Sequence, residues 1–137
     1  MKKYLIDTNV IIELLRGNRN IASCIANAGV SNCAISMITD YELTYGAFHA
    51  QPEYREREIE KVRSIRERFS VIGLPDSEKW AEAKQRLQSS GLGIDDFDLI
   101  IAETAKEGGY IAVTDNVKHL GRLDGLLLEN WIDRKDQ

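Results

Sequence analysis

The sequence predicts an α/β domain: a central, mostly parallel sheet of four or five strands with helices on both faces. Two observations predict it. Short runs of β-type residues alternate with longer segments whose apolar residues recur at helical spacing, the pattern of parallel strands joined by crossover helices. The length of 137 residues, 43% hydrophobic and 29% charged, suits one core-bearing domain over residues 1–137. No internal repeat, low-complexity tract or linker interrupts that reading.

The elements follow in order. Residues 3–6 read as the first strand, and Val10, Ile11, Leu14 and Leu15 then mark a helix that stops at Gly17. Asp7 falls at the join. Ile21, Ala22, Ile25 and Ala26 outline a second short helix before Gly29, and residues 33–38 form a β-rich run after which Thr39 opens a helix. From 54 to 69, Ile59, Val62, Ile65 and Phe69 make one apolar stripe on a long helix. Its other faces carry Arg55, Arg57, Lys61, Arg63, Arg66 and Arg68 against Glu56, Glu58, Glu60 and Glu67, so its basic excess is modest.

Residues 70–73 form a short third strand, Pro75 breaks the chain, and Asp76 or Ser77 caps a helix that buries Trp80, Ala83 and Leu87. A further helix begins at Asp95 or Asp96, turns Phe97, Ile100, Ile101, Thr104 and Ala105 inward, and stops at Gly108-Gly109. Residues 110–114 are the fourth strand. After the turn signals Gly121 and Asp124-Gly125, the run Leu126-Leu127-Leu128 offers a short edge strand before Trp131.

Composition narrows the function classes. Cys24 and Cys33 lack the spacing of a zinc site or a disulfide framework, which points to a reducing, cytoplasmic setting. Asp7 interrupts the first apolar run too early for a signal peptide or membrane span. A net charge of −4 argues against a surface that grips nucleic acid everywhere, while leaving room for a local basic patch. Neither a GxGxxG nor a Walker phosphate loop is present.

In open parallel sheets the working crevice lies beyond the carboxyl ends of the strands. Acidic residues stand there in this chain: Asp7 after the first strand, Glu42 beyond the second, Asp98 in the first turn of a helix, and Asp115 after the fourth strand. Each has an ordinary structural explanation. Asp7 suits a helix cap, Thr39 and Glu42 suit a capping box, Asp95, Asp96 and Asp98 suit the positive end of a helix dipole, and Asp115-Asn116 resembles a turn. Their joint placement favours function, because carboxylates gathered in one crevice repel each other unless a cation neutralises them. No lysine is evident in these turns. A hard divalent cation such as Mg²⁺ or Mn²⁺ takes one or two carboxylates plus waters and leaves positions for a phosphate oxygen, which directs attention to metal-assisted phosphodiester chemistry.

These residues also carry a family resemblance. The chain resembles the PIN-domain ribonucleases, specifically the VapC toxins of type II toxin-antitoxin pairs. The resemblance rests on Tyr4-Leu5-Ile6-Asp7-Thr8-Asn9-Val10-Ile11-Ile12, on Ser36-Met37-Ile38-Thr39 with Tyr41-Glu42-Leu43 and Gly46, on Ile94 with Phe97-Asp98-Leu99-Ile100-Ile101-Ala102, and on Val113-Thr114-Asp115-Asn116 before Leu120 and Glu129-Asn130-Trp131. Their order and spacing span nearly the whole chain.

The resemblance implies a three-layer PIN-like fold and a Mg²⁺-dependent endoribonuclease, with Mn²⁺ able to substitute. It implies metal and catalytic roles for Asp7, Glu42 and Asp98, and a fourth member at Asp115 or Asn116. Thr8, Asn9, Thr114 and Asn116 would orient the carboxylates. Where relatives frequently carry an acidic residue followed by Phe, this chain has Lys118-His119-Leu120. Catalysis through metal-activated water needs no histidine base, so His49 and His119 read as bystanders. Arg86, Arg122 and the basic side chains of the long helix are candidates to guide RNA.

The implied partners are RNA, a VapB-like antitoxin and a second copy of the chain, with no membrane. Tyr41, Tyr45, Phe48 and Tyr54 suit either a contact face or core packing. Two alternatives keep the fold: a catalytically silent PIN-like interaction module, and an RNA-maturation nuclease without an antitoxin. Intact Asp7, Glu42 and Asp98 weigh against the first.

Overall fold

Five strands, all parallel, form the sheet in the computed structural model, which describes residues 1–133. The end of the domain expected over 1–137 therefore lies outside the described residues. The strands are β1 (Tyr4–Ile6), β2 (Cys33–Ser36), β3 (Ser70–Ile72), β4 (Ile111–Val113) and β5 (Leu128–Glu129), in the spatial order β3-β2-β1-β4-β5. β1 is thus the middle strand, with β2 and β4 on either side.

Alternation along each strand separates two cores. Ile6, Ile35 and Val113 point to one face, where they pack with α1 (Thr8–Leu15), α2 (Arg19–Ala28), α3 (Met37–Phe48) and α4 (Pro52–Arg68) through Val10, Ile11, Ile21, Ile25, Leu43 and Ile65. Leu5, Ala34 and Ala112 point to the other, against Leu87 of α5 (Ser77–Ser89), Leu99 and Ile101 of α6 (Asp96–Gly108), and Leu120 of α7 (Val117–Leu120). The result is three layers, α/β/α. Fully burying each such Ile or Leu contributes about 1.5–3 kcal/mol, so both faces supply cohesion to a sheet whose strands are very short.

Local chemistry sets the element ends. Asn18 caps α2, accepting from the amides of Asn20 and Ile21, and Asp76 caps α5, accepting from Glu78 and Lys79. Gly109 ends α6 in the left-handed region at φ 71°, and a Cβ on Gly108 would collide with the Tyr110 ring, so both residues of that pair are required.

Four expectations need correction. The β-run of 33–38 stops at Ser36, because the Ser36 hydroxyl accepts from the Thr39 amide at 3.0 Å and starts α3 at Met37. Ser36 is the cap, and Thr39 is buried inside the helix. Phe97 does not turn inward: it is exposed and meets Tyr41 edge-on at 5.7 Å. α7, unmarked in the sequence reading, is a single turn whose inward residue is Leu120. The edge strand is shifted from 126–128 to Leu128–Glu129, where pairing with Ala112 and Val113 sets its place. Cys24 and Cys33 are free thiols, and burial pushes the Cys33 thiol up to about 11.

Candidate active site

The parallel register builds the site. Ile6 pairs with Val113, so the residues that follow them, Asp7 and Thr114, emerge side by side at the carboxyl edge of the sheet. The Asp7 amide donates to the Val113 carbonyl at 2.8 Å. The Thr114 hydroxyl donates to Asp7 Oδ2 at 2.8 Å and accepts from the Asn116 amide at 2.9 Å, which locks the turn after β4 to the end of β1.

Asp7 is a helix cap as well as a member of the cluster. Its Oδ1 accepts from the Thr8 amide at 2.7 Å and its Oδ2 accepts from Asn9 Nδ2 at 3.4 Å. The residue is only 4% exposed. Burial raises its carboxyl from 3.8 to about 6, against the opposing effect of the Thr114 and Thr8 hydrogen bonds, and the charges of Asp98 and Glu42 add to the rise. These three carboxylates therefore share one electrostatic environment.

Glu42 reaches this environment from the second turn of α3. It does not close a capping box with Thr39: its Oε1 accepts from the Thr8 hydroxyl at 2.6 Å, and Thr8 Oγ1 in turn lies 3.0 Å from the Thr39 hydroxyl, from which it can accept. A single hydroxyl thus joins the start of α1 to α3. Asp98 comes from the first turn of α6, whose cap is Asp95. Its carboxyl is raised by burial and by the Asp95 charge, while His119 and the hydrogen bond from Asn116 act in the opposite direction.

The two adjacent residues after Thr114 behave differently. Asn116 Nδ2 donates to Asp98 Oδ2 at 3.2 Å. The Asp115 amide donates to Asn9 Oδ1 at 3.3 Å, and Asp115 Oδ1 accepts from Asn130 Nδ2 at 3.1 Å. Asn9, Thr8 and Thr114 all hydrogen-bond within the cluster.

Arg86 and Arg122 make no hydrogen bond to it. Arg86 pairs with Glu82 one helical turn away, and Arg122 Nη1 donates to the Gly93 carbonyl, tying the segment after α7 to the loop before α6. His49 stacks on the exposed Tyr45 at 5.9 Å. His119, read from sequence as a bystander, is not isolated: its Nδ1 lies 2.7 Å from Asn116 Oδ1. The only signal of that contact in the sequence is the three-residue spacing across a helical turn.

A divalent cation suits this donor set. The three carboxylates are hard oxygen ligands, and among the described residues no lysine or arginine hydrogen-bonds to them. Among the described residues no group of three or more acidic, histidine or cysteine side chains is arranged to hold a metal ion together. An ion that keeps several waters and takes only one or two carboxylates needs no such group.

Beside Glu42, α1, α3 and α4 enclose a groove of about 350 Å³ lined by Ile12, Leu15, Leu43, Ala47 and Val62, with Lys61 and Glu58 at its polar side. Tyr41, Tyr45 and Phe48 form an exposed face of α3, with Tyr54 exposed on the first turn of α4. Core packing does not account for them. Among the described residues no helix is long and apolar enough to cross a membrane.

Comparison with known proteins agrees with this architecture. A family model described as the PIN domain matches residues 4–126. A Haemophilus influenzae protein named ribonuclease VapC2 is 29% identical, over 96% of this chain and all of the relative. A Shigella flexneri protein named tRNA(fMet)-specific endonuclease VapC is 28% identical, covering 96% of this chain and 99% of its own. The crystal structure of DNA-bound VapBC from Salmonella typhimurium superimposes with a TM-score of 0.87 at 27% identity, over 96% of this chain and all of the matched one.

Proposed function

From the premise that the chain belongs to the PIN-domain family, we propose that it is an endoribonuclease toxin of the VapC type, which hydrolyses RNA phosphodiester bonds and is neutralised by a cognate antitoxin. The observation that carries this reading is the convergence of Asp7, Glu42 and Asp98 in a chain similar to named ribonucleases along nearly its whole length.

VapC nucleases of this family depend on a divalent metal, and we assign Mg²⁺ to this chain, with Mn²⁺ as a substitute. Asp7 and Asp98 would hold the ion directly, and Glu42 would hold it through water or position the nucleophile. When bound, the ion supplies Lewis-acid activation of water and stabilises charge on the phosphate. Thr114 and the Thr8 amide keep Asp7 oriented towards the cluster. The Thr8 hydroxyl does the same for Glu42, and Asn116 for Asp98. Such preorganisation is what a site needs if its carboxylates are to repel each other only until the cation arrives. For the fourth position, the Asn116 bond to Asp98 favours Asn116 in a supporting role over Asp115 as a ligand.

The apolar groove beside Glu42 is the seat we assign to the antitoxin, because a segment lying there would cover the approach to that carboxylate. The exposed tyrosines and Phe48 supply the apolar surface expected of a homodimer face. We assign the protein's action to the cytoplasm, a reducing setting in keeping with its two free cysteines.

The test is cleavage of a tRNA pool by purified protein with Mg²⁺ or Mn²⁺, beside EDTA and an Asp98→Asn variant. Cutting that both controls abolish supports the nuclease. Equal inactivity of wild type and variant on tRNA, mRNA and rRNA pools overturns it, and failure of both to bind metal favours a silent interaction module.

A further inference from the structure

We propose that His119 is a positioning residue for Asp98, acting through Asn116: its ring N–H orients the Asn116 amide, which in turn orients the carboxylate. The inference rests on the nuclease reading above for its consequence in catalysis, and on three side chains for its geometry.

The hydrogen-bond roles along this chain of groups follow from which atoms can donate. Asn116 Nδ2 lies 3.2 Å from Asp98 Oδ2, and a carboxylate only accepts, so the amide nitrogen must face it. The amide oxygen then faces His119 Nδ1 at 2.7 Å, and an amide oxygen only accepts, so Nδ1 carries the hydrogen. Rotating the amide by half a turn would set its oxygen against Asp98 and its NH₂ against an imidazole nitrogen that already bears a proton. Both contacts would be lost together. The carboxylate thus sets which way the amide faces, and the imidazole N–H at Nδ1 holds it there.

The backbone supports the same arrangement. The Asn116 amide is held by the Thr114 hydroxyl that also serves Asp7, and the single turn of α7 carries His119 back over Asn116. His119 is exposed and, among the described residues, makes no hydrogen bond to a carboxylate, so its positioning effect on Asp98 passes through Asn116. With Oδ2 accepting from the amide, the Asp98 carboxylate is fixed in direction and keeps acceptor capacity that a cation would use. The pair thus gives a third carboxylate a defined direction without adding a fourth negative charge to the crevice.

The experiment compares wild type, His119→Ala, His119→Asn and Asn116→Ala, alone and combined with His119→Ala. Each is measured for Mn²⁺ affinity by calorimetry and for RNA cleavage as separate kcat and KM. An asparagine at 119 carries its Nδ2 on the same atom that bears Nδ1 in histidine, so it retains the donor. Expected for His119→Ala are an Mn²⁺ affinity and a kcat each lower by about 10-fold, with KM unchanged. His119→Asn should recover most of both losses. Adding His119→Ala to Asn116→Ala should cost nothing further.

Equal Mn²⁺ affinity in His119→Ala and wild type overturns the proposal, as does a loss that persists in the Asn116→Ala background. A raised KM with unchanged kcat would make His119 an RNA contact instead. If wild type binds Mn²⁺ but cuts no RNA, the nuclease reading fails while the affinities still decide the role of His119. A wild type that binds no Mn²⁺ sinks both.

Discussion

The hydroxyl of Thr8 donates to Glu42 Oε1 at 2.6 Å, joining two residues 34 positions apart. It turns a glutamate that local pattern would assign to a helix cap into a member of a carboxylate cluster. Removing that hydroxyl while keeping its volume should free Glu42 to swing towards solvent. For Thr8→Val we expect RNA cleavage lower by about 10- to 100-fold, whereas Thr8→Ser retains activity. Single-turnover cleavage assays on the two variants check this. Equal rates for both would remove Thr8 from the account.

Asp7 makes the stability of the metal-free protein depend on pH. Its carboxyl titrates at about 6 when folded, against an ordinary 3.8, so the folded state holds this proton more tightly than the unfolded chain. The contribution is fully present below the unfolded value and is lost as pH rises through the folded one. Stability should therefore increase as pH falls from about 7 towards 4, by about 3 kcal/mol from this group. Urea unfolding in EDTA across that range measures it, and Asp7→Asn should flatten the profile while abolishing cleavage.

A bound cation reverses the preference. Because it favours ionised Asp7 and Asp98, Mg²⁺ or Mn²⁺ should raise Tm more at pH 7.5 than at pH 5, where protons compete for the same oxygens. Thermal melts with and without metal at both pH values test the point. An identical shift at both would place the metal away from these carboxylates.

Thr114 is wholly buried and serves two partners, donating to Asp7 and accepting from the Asn116 amide. Thr114→Val conserves shape but leaves the Asn116 amide without its acceptor. We expect a loss of about 1–3 kcal/mol in unfolding free energy. Asp7 should also titrate higher, because the Thr114 bond opposes the rise caused by burial. Denaturant titration gives the first quantity and the Asp7 carboxyl carbon shift the second.

The exposed aromatic face of α3 predicts self-association. Tyr45 is 60% exposed and Phe48 56%, a cost in water that a second copy would relieve. The double variant Tyr45→Glu/Phe48→Glu should be monomeric where wild type is a dimer, as read by light scattering. A wild-type monomer would assign this face to another partner.

Local pattern was sufficient for most of the architecture. Apolar residues at period two and at helical spacing depend only on neighbours along the chain, so the strands around β1, the helix stops at Gly17 and Gly109, and the caps Asp76 and Asp95 were legible without a structure. The short run to Ser36 was over-extended, because Met37 and Ile38 suit a strand until the Ser36 hydroxyl turns the chain into a helix. Asp7, Glu42 and Asp98 could be nominated from their places after strands and at a helix start, but each also fitted a cap. Only tertiary structure separated those readings. The pairing of Ile6 with Val113 sets Asp7 against Thr114, and the packing of α1 on α3 brings Thr8 to Glu42. The divergence of Asp115 towards Asn130 and of Asn116 towards Asp98 was likewise invisible, since two adjacent residues differ in direction by a backbone rotation that composition does not encode. Contacts between residues near in sequence are written in periodicity, whereas those between distant residues depend on how the sheet is ordered and in what register its strands meet.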